Sequence, residues 1–260
     1  MATPNHTPAP DEAGIGNRLL QPIDRRLFLR YTGVTAAATG LLLAGCDDDD
    51  NNSDSNAVNV GTGDFGVLNY AFALEQLEAA FYTQLRTGSY YTGLGANSAE
   101  KQILDDLALH EKIHADFFRA AIPANGGTLI KDLEPDFSSI NFNSKDSVLK
   151  AAQDFEDLGV AAYNGAGRYL SNPLFLSIAG KIVSVEARHA GLIRDLRAYN
   201  TFVANDVVDV FTPTPGSNGP TPFSQGTGTG LERSKTPSEV VAIANNFLKS
   251  GSKLNVSGIS

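Results

Sequence analysis

The chain contains 260 residues with a formal net charge of −9, and hydrophobic residues make up 42% of it. This composition is that of a globular protein, which excludes a chain that is disordered throughout. The acidic balance gives no electrostatic reason to bind nucleic acid, and a single Cys excludes an internal disulfide framework and a Cys-based zinc site.

The first 46 residues have the layout of an export signal. Arg25 and Arg26, followed by Leu-Phe-Leu, resemble a twin-arginine signal, which directs proteins that are exported already folded. The uncharged stretch 31–45 is shorter than the roughly 20 apolar residues that a membrane-spanning helix needs. It leads into Leu-Ala-Gly-Cys46, which resembles a bacterial lipoprotein box and predicts lipidation of Cys46. A plain cleavable signal with an incidental Cys is the alternative.

Residues 47–62 are predicted to be a disordered acidic tether. The tether opens with four consecutive Asp residues, and 47–56 contains no apolar side chain that could be buried. A solvated tether directly after Cys46 is what a lipid-anchored protein needs. We therefore expect an exported protein of the periplasm or cell envelope, held to a membrane by a lipid anchor at Cys46.

Apolar residues at helical spacing predict four long helices between residues 63 and 200. Their predicted ranges are 64–86, 97–121, 145–169 and 173–200. The second opens at Asn97, with Glu100 as the partner in a capping box. Ser144 caps the third, and Pro173 is preset for the first turn of the fourth.

The four predicted helices indicate an all-α fold, and the lengths of their connections predict how the helices are arranged. Short loops place the first helix antiparallel to the second and the third antiparallel to the fourth, while the link 123–143 is long enough to cross a bundle lengthwise. We therefore expect a four-helix bundle with a long crossover between helices two and three. Residues 201–260 are expected to form an irregular tail, with a weakly extended segment at 206–211. A capping box that begins at Thr236 starts a short helix that packs on the bundle.

Two of the four His in the chain occur in the same local pattern, on the predicted second and fourth helices. Glu111 and His114 are three residues apart, as are Glu186 and His189. Side chains at this spacing lie on one face of a helix, about one turn apart, so that both can bind one ion. A single Glu-x-x-His is usually a solvated helix face, but its repetition on alternate helices favours a metal site.

The predicted first and third helices carry a matching pair of motifs. Glu75 and Glu156 are each followed by Leu two positions later and by Tyr seven positions later, at Tyr82 and Tyr163. The chain thus looks like a duplicated helix hairpin. Four carboxylates and two imidazoles inside a bundle need a counter-charge, which two divalent ions would supply. We expect both Tyr to be buried and hydrogen-bonded to a neighbouring helix rather than redox-active.

These six residues resemble the ligand set of the ferritin-like dimetal-carboxylate proteins, in which two helices give one Glu each and two give a Glu-x-x-His each. The resemblance covers about residues 64–200. It implies two metal ions bridged by Glu111 and Glu186, with four terminal ligands: Glu75, Glu156, His114 and His189. The donor set suits Fe or Mn and is compatible with Zn, whereas the two imidazoles disfavour Ca. Segments 74–82 and 163–166 also resemble the exported ferritin-like family that includes desiccation-related proteins.

Two further residues leave alternatives open. Glu78 lies one turn beyond the Glu of the first motif and is an extra ligand, a gate or a surface residue; the matching position in the third helix is Gly159. His110 lies one turn before a predicted ligand, whereas Val185 holds the equivalent place in the fourth helix. We interpret His110 as a residue that contacts a ligand or lies at the surface, rather than as a ligand.

The sequence leaves two functions open. In the first, two Fe or Mn ions react with O₂ or a peroxide, as in an oxidase, a ferroxidase or a catalase. In the second, a non-enzymatic envelope protein uses the bundle as a scaffold under desiccation or another stress. The expected partners are the metal ions, O₂ or peroxide, and the membrane, and a homo-oligomer is compatible with the sequence.

Overall fold

The computed structural model describes residues 57–199, 201–209 and 230–259. The predicted export signal with Arg25, Arg26 and Cys46, and the first part of the tether, lie outside the described residues. Within the described part of the chain, no helix is both long and apolar enough to cross a membrane.

Four long helices dominate the described chain, and all helices are numbered here in chain order. The long helices are α1 (Gly63–Leu85), α3 (Ala99–Ala124), α4 (Lys145–Ala166) and α5 (Pro173–Arg197). The described residues also form two short helices, α2 (Ser89–Thr92) and α6 (Pro237–Ala244). Among the described residues, three short 3-10 turns occur at Gly167–Tyr169, Asn245–Phe247 and Ser250–Ser252. Two short strands, β1 (Val58–Asn59) and β2 (Leu254–Asn255), pair in parallel.

The four long helices pack as two hairpins. The first hairpin joins α1 to α3 and the second joins α4 to α5, while contacts between α1 and α4 and between α3 and α5 close the bundle. The crossover between the two hairpins is the segment between α3 and α4. The structure thus confirms the predicted all-α four-helix bundle with a long crossover between its second and third long helices.

The ends of α3 differ from the sequence prediction. Ser98, not Asn97, is the cap: its side chain accepts a hydrogen bond from the backbone N–H of Lys101. The helix also continues past the predicted end near residue 121 and past Pro123 to Ala124, where a glycine motif ends it. Gly126 has φ of 86°, and the N–H of the next residue donates to the carbonyl of Ile122 at 3.0 Å, which satisfies an end carbonyl of the helix.

The predicted caps Ser144 and Thr236 occur where the sequence placed them, Asn172 is a cap that the sequence analysis did not predict, and α4 is shorter than expected. Ser144 and Asn172 accept backbone hydrogen bonds at the start of α4 and α5, and Thr236 forms a capping box at α6. α4 ends at Ala166, and the predicted extension to Tyr169 is a tighter 3-10 turn. Helix ends commonly tighten in this way because the last carbonyls lack partners within the helix.

Residues 57–62, which the sequence predicts as the end of the tether, belong to the folded structure. Val58 pairs with Leu254, and Val60 is only 1% exposed in the core. This pairing joins opposite ends of the described chain, so no local pattern predicts it. Of the predicted extended segment 206–211, the described residues contain one isolated bridge, between Val208 and Glu232.

The tail returns to the bundle along α4. α6 packs against α4, and Phe247 lies 4.8 Å from Phe155, ring centre to ring centre. The tail backbone approaches so closely at Gly165 that a Cβ there would lie 1.7 Å from the carbonyl oxygen of Lys235. A glycine is therefore required at this position of α4 for the tail to dock.

Candidate metal centre

The four long helices bring the six predicted ligand residues together in the bundle interior. The four Glu side chains are 0% exposed, and His114 and His189 are 6% and 5% exposed. Among the described residues, two groups bring their donor atoms within 4.8 Å of one another and could each hold a metal ion. The first group is Glu75, Glu111, His114 and Glu186; the second is Glu111, Glu156, Glu186 and His189.

Glu111 and Glu186 belong to both groups, and each divides its two oxygens between the two His. Nδ1 of His114 lies 2.8 Å from Glu186 Oε1 and 3.5 Å from Glu111 Oε2. Nδ1 of His189 lies 2.6 Å from Glu111 Oε1 and 3.5 Å from Glu186 Oε2. One oxygen of each shared carboxylate thus faces each His, which is the arrangement of a carboxylate that bridges two ions.

The atoms that face the centre lie within ion-pair distance of one another, but their geometry satisfies no hydrogen bond. The unpartnered buried atoms are Oε2 of Glu75, both oxygens of Glu111, Nδ1 of His114, Oε2 of Glu156, both oxygens of Glu186 and Nδ1 of His189. A buried polar atom left without a partner is unfavourable by about 1–3 kcal/mol, and more if it is charged. Cations at this centre would satisfy all of these atoms at once, so the residues fit a pair of metal ions.

Two tyrosines orient the terminal carboxylates. Tyr82 on α1 donates its hydroxyl hydrogen bond to Glu156 Oε1 on α4, and Tyr163 on α4 donates to Glu75 Oε1 on α1. Burial and the nearby carboxylates raise the pKa of both Tyr well above the ordinary value, so both hydroxyls stay protonated donors. Each terminal carboxylate therefore keeps its other oxygen directed at the centre.

In the absence of metal, protons compensate the charge of the cluster. Burial and the Glu186 carboxylate raise the pKa of Glu75 to about 8, and burial raises that of Glu156 to about 8. Burial alone would lower the pKa of His114 and His189, but the surrounding carboxylates outweigh it and raise the pKa of each to about 12. Metal ions would therefore compete with protons for the same atoms.

Glu78 lies beside the six residues but outside both groups. It is 4% exposed, and burial together with the Glu111 carboxylate raises its pKa well above the ordinary value. A Cβ at Gly159 would lie 2.9 Å from Glu78 Oε1. The glycine at the position of α4 that matches Glu78 thus leaves the space that the Glu78 carboxylate occupies.

His110 contacts a predicted ligand rather than joining either group. It is half-buried, and its Nδ1 lies 2.9 Å from Nε2 of His189. Burial and the neighbouring His114 and His189 rings lower the pKa of His110.

The sequence analysis missed Arg194, which is 3% exposed on α5. Its guanidinium binds Asp157 on α4 through two bonds of 2.7 and 2.8 Å, and Asp206 of the tail at 2.6 Å. These bonds connect α4, α5 and the segment 201–209. Asp157 directly follows the ligand Glu156 in the chain, so the bonds lie close to one end of the metal centre. The available signal was the position of Arg194 on the buried face of α5, where an arginine requires an acidic partner.

The helices that carry this site match a known protein family. A family model described as a ferritin-like domain matches residues 63–198, which is more than half of the 260-residue chain. The matched range begins with α1 and ends just after α5, so it contains all six residues of the centre. A search of curated proteins found no match.

Proposed function

The chain belongs to the ferritin-like domain family, and from this premise we propose that it binds two divalent metal ions, Fe or Mn, that react with O₂ or a peroxide. Glu75 and His114 would hold one ion, Glu156 and His189 the other, and Glu111 and Glu186 would bridge them. The observation that carries the proposal is the convergence of unpartnered carboxylate oxygens and imidazole nitrogens on one buried centre.

The chemistry of the donors supports Fe or Mn. Mixed carboxylate and imidazole ligands suit these ions, whereas Ca²⁺ prefers oxygen ligands throughout. The four ligand carboxylates carry four negative charges, which two divalent ions would balance. Glu78 adds a fifth carboxylate beside the centre, so the site would remain favourable for further positive charge on the ions.

When bound, the ions would supply redox and Lewis-acid chemistry, and the side chains of this chain would fix where that chemistry occurs. The shared carboxylates hold two cation positions side by side, and the Tyr82 and Tyr163 hydroxyls keep one oxygen of each terminal carboxylate directed inward. Burial of all six ligand side chains excludes bulk water and strengthens each electrostatic contact.

A second candidate is a non-enzymatic envelope protein in which the metal is structural. The observation that favours it is the depth of burial, because no ligand residue is more than 6% exposed and a closed site restricts access for a reactant. This candidate also follows from the resemblance to desiccation-related proteins. Metal binding is common to both candidates, and only the reaction separates them.

The test is metal analysis followed by stopped-flow mixing of the metal-loaded protein with O₂ or hydrogen peroxide. We expect two Fe or Mn per chain and a spectral change or turnover on mixing. Glu75→Ala and His189→Ala should lose bound metal, whereas Glu134→Ala, at an exposed glutamate that pairs with Lys249 at the surface, is the matched control. Two ions with no reaction would favour the structural candidate, and no bound metal would refute both.

Export and anchoring are proposed from the sequence of residues 1–56. The twin-arginine pattern at Arg25 and Arg26 supports export of an already folded protein, which would permit metal to be inserted before translocation. Cys46 would carry the lipid that holds the protein to a membrane. Mass spectrometry of the mature N-terminus tests this proposal, and an unmodified Cys46 would contradict it.

A further inference from the structure

A hydrogen bond joins His110 on α3 to His189 on α5. Nδ1 of His110 lies 2.9 Å from Nε2 of His189, and the two ring centres are 4.9 Å apart with the planes at 67°. One of the two nitrogens must donate and the other must accept. The contact therefore couples the tautomers of the two rings, and the direction of the hydrogen bond depends on which nitrogen of His189 carries the proton.

The other nitrogen of His189 determines which tautomer is required. Nδ1 of His189 faces Glu111, Glu156 and Glu186 at 2.6–3.5 Å, so this is the nitrogen that would bind a metal ion. A metal-binding nitrogen needs its lone pair, so the proton must lie on Nε2. Nδ1 of His110 is placed to accept the hydrogen bond that this Nε2–H donates.

In the described structure, His114 lacks an equivalent hydrogen bond, although the His110 ring also packs against its ring, with the ring centres 4.6 Å apart. The position of α5 that corresponds to His110 is Val185, four residues before His189, and its side chain cannot accept a hydrogen bond. Among the residues that the structure describes, no hydrogen bond reaches Nε2 of His114. The two hairpins of the bundle therefore supply the same types of ligand, but within the described chain only His189 has a hydrogen-bond partner at Nε2.

We propose that His110 is a positioning residue that makes the two metal positions unequal. The position formed by Glu156 and His189 with the two shared carboxylates binds its ion more tightly than the position formed by Glu75 and His114. This inference rests on the proposed two-metal function. Loss of an outer hydrogen-bond partner of a metal-binding His typically reduces metal affinity about 10–100-fold, which sets the expected difference between the two positions.

The experiment is a titration of the metal-free full chain with Co²⁺ alone, followed by calorimetry and by the visible absorption of bound Co²⁺. The parent protein should bind two ions in two steps whose affinities differ about 10–100-fold. His110→Ala should weaken the first step by a similar factor and bring the two steps together. Thermal unfolding of each metal-free variant shows whether the fold is retained.

Two further variants separate positioning from simple packing. Asn places its side-chain oxygen where His places Nδ1, so His110→Asn should restore the first step that His110→Ala weakens. Val185→Asn gives His114 an acceptor of the same kind and should tighten the second step. If a packing role were the whole effect, His110→Asn would behave like His110→Ala and Val185→Asn would change nothing.

The outcomes distinguish this inference from the function on which it rests. Two ions bound with equal affinity in the parent, or an unchanged first step in His110→Ala, would overturn the inequality and leave the two-metal function standing. A parent protein that binds no Co²⁺ would overturn both.

Discussion

Replacement of one buried ligand carboxylate should have opposite effects on the metal-free and metal-loaded proteins. In Glu156→Gln, the amide keeps an oxygen for the Tyr82 hydroxyl but cannot carry the negative charge. The metal-free protein should become more stable near neutral pH, because Glu156 must otherwise be buried as a charge or be held protonated. The metal-loaded protein should lose its ion, because a neutral amide is a poor ligand for Fe or Mn.

The magnitude follows from the pKa of Glu156, which burial raises from 4.5 to about 8. Between about pH 4.5 and pH 8, Glu156 is protonated in the folded metal-free chain but ionised in the unfolded chain. The free energy of unfolding of the metal-free protein therefore falls as pH rises from 4.5 to about 8. Each extra proton changes the free energy of unfolding by about 1.4 kcal/mol per pH unit. Lost pairing with protonated His189 offsets part of the gain, which leaves a net stabilisation of about 1–3 kcal/mol for the variant near neutral pH.

The assay is urea unfolding by circular dichroism at about pH 5.5 and about pH 7.5, with and without metal. The metal-free parent should lose stability between the two pH values, and Glu156→Gln should lose less. Added metal should stabilise the parent more at the higher pH, because its ligands must be deprotonated. Glu134→Gln, at an exposed glutamate, should change stability by less than about 0.5 kcal/mol. Equal destabilisation of Glu156→Gln with and without metal would refute the reasoning.

Three further variants test other parts of the structure. Tyr163→Phe should leave the fold intact and weaken Co²⁺ binding about 10–100-fold, since Glu75 loses the hydroxyl that orients it; unchanged affinity in calorimetry would contradict the orienting role. Gly159→Ala should displace the Glu78 carboxylate and lower the free energy of unfolding by about 1–3 kcal/mol. The same variant and Glu78→Gln should alter the stopped-flow reaction with peroxide in the same way. Ser98→Ala should lower unfolding free energy in urea by about 1 kcal/mol, whereas Asn97→Ala should have little effect.

The bundle could be predicted from the sequence because its information is local. Apolar spacing, the caps Ser144 and Thr236 and the turn at Pro173 each act within a few residues, so the order and type of the long helices follow from them. The limit of such patterns is visible at the start of α3, where Ser98 is the cap and not the predicted Asn97. Adjacent capping residues are equivalent in sequence, and only the packed geometry of the helix decides between them.

The non-local features could not be predicted in the same way. Strand β1 pairs with β2 from the far end of the chain, so Val60 is buried where composition alone indicates a continuing tether. The cluster of Arg194 with Asp157 and Asp206 likewise joins three separate segments. The metal-centre residues come from four separate helices, but each of their local motifs occurs twice in the chain. This repetition is what made them identifiable from the sequence.

The two departures from that duplication both lie next to the centre. Glu78 is matched by Gly159, and His110 is matched by Val185; in each pair, one half of the bundle carries a polar side chain and the other cannot. The first difference adds a carboxyl group beside the centre, and the second gives a hydrogen bond to one of the two imidazoles alone. A bundle that served only as a scaffold would have no need for such differences at its most buried polar layer. If the two proposed ions bind there, their unequal surroundings would give them different affinities and redox behaviour, which supports the proposed reactive centre over a structural one.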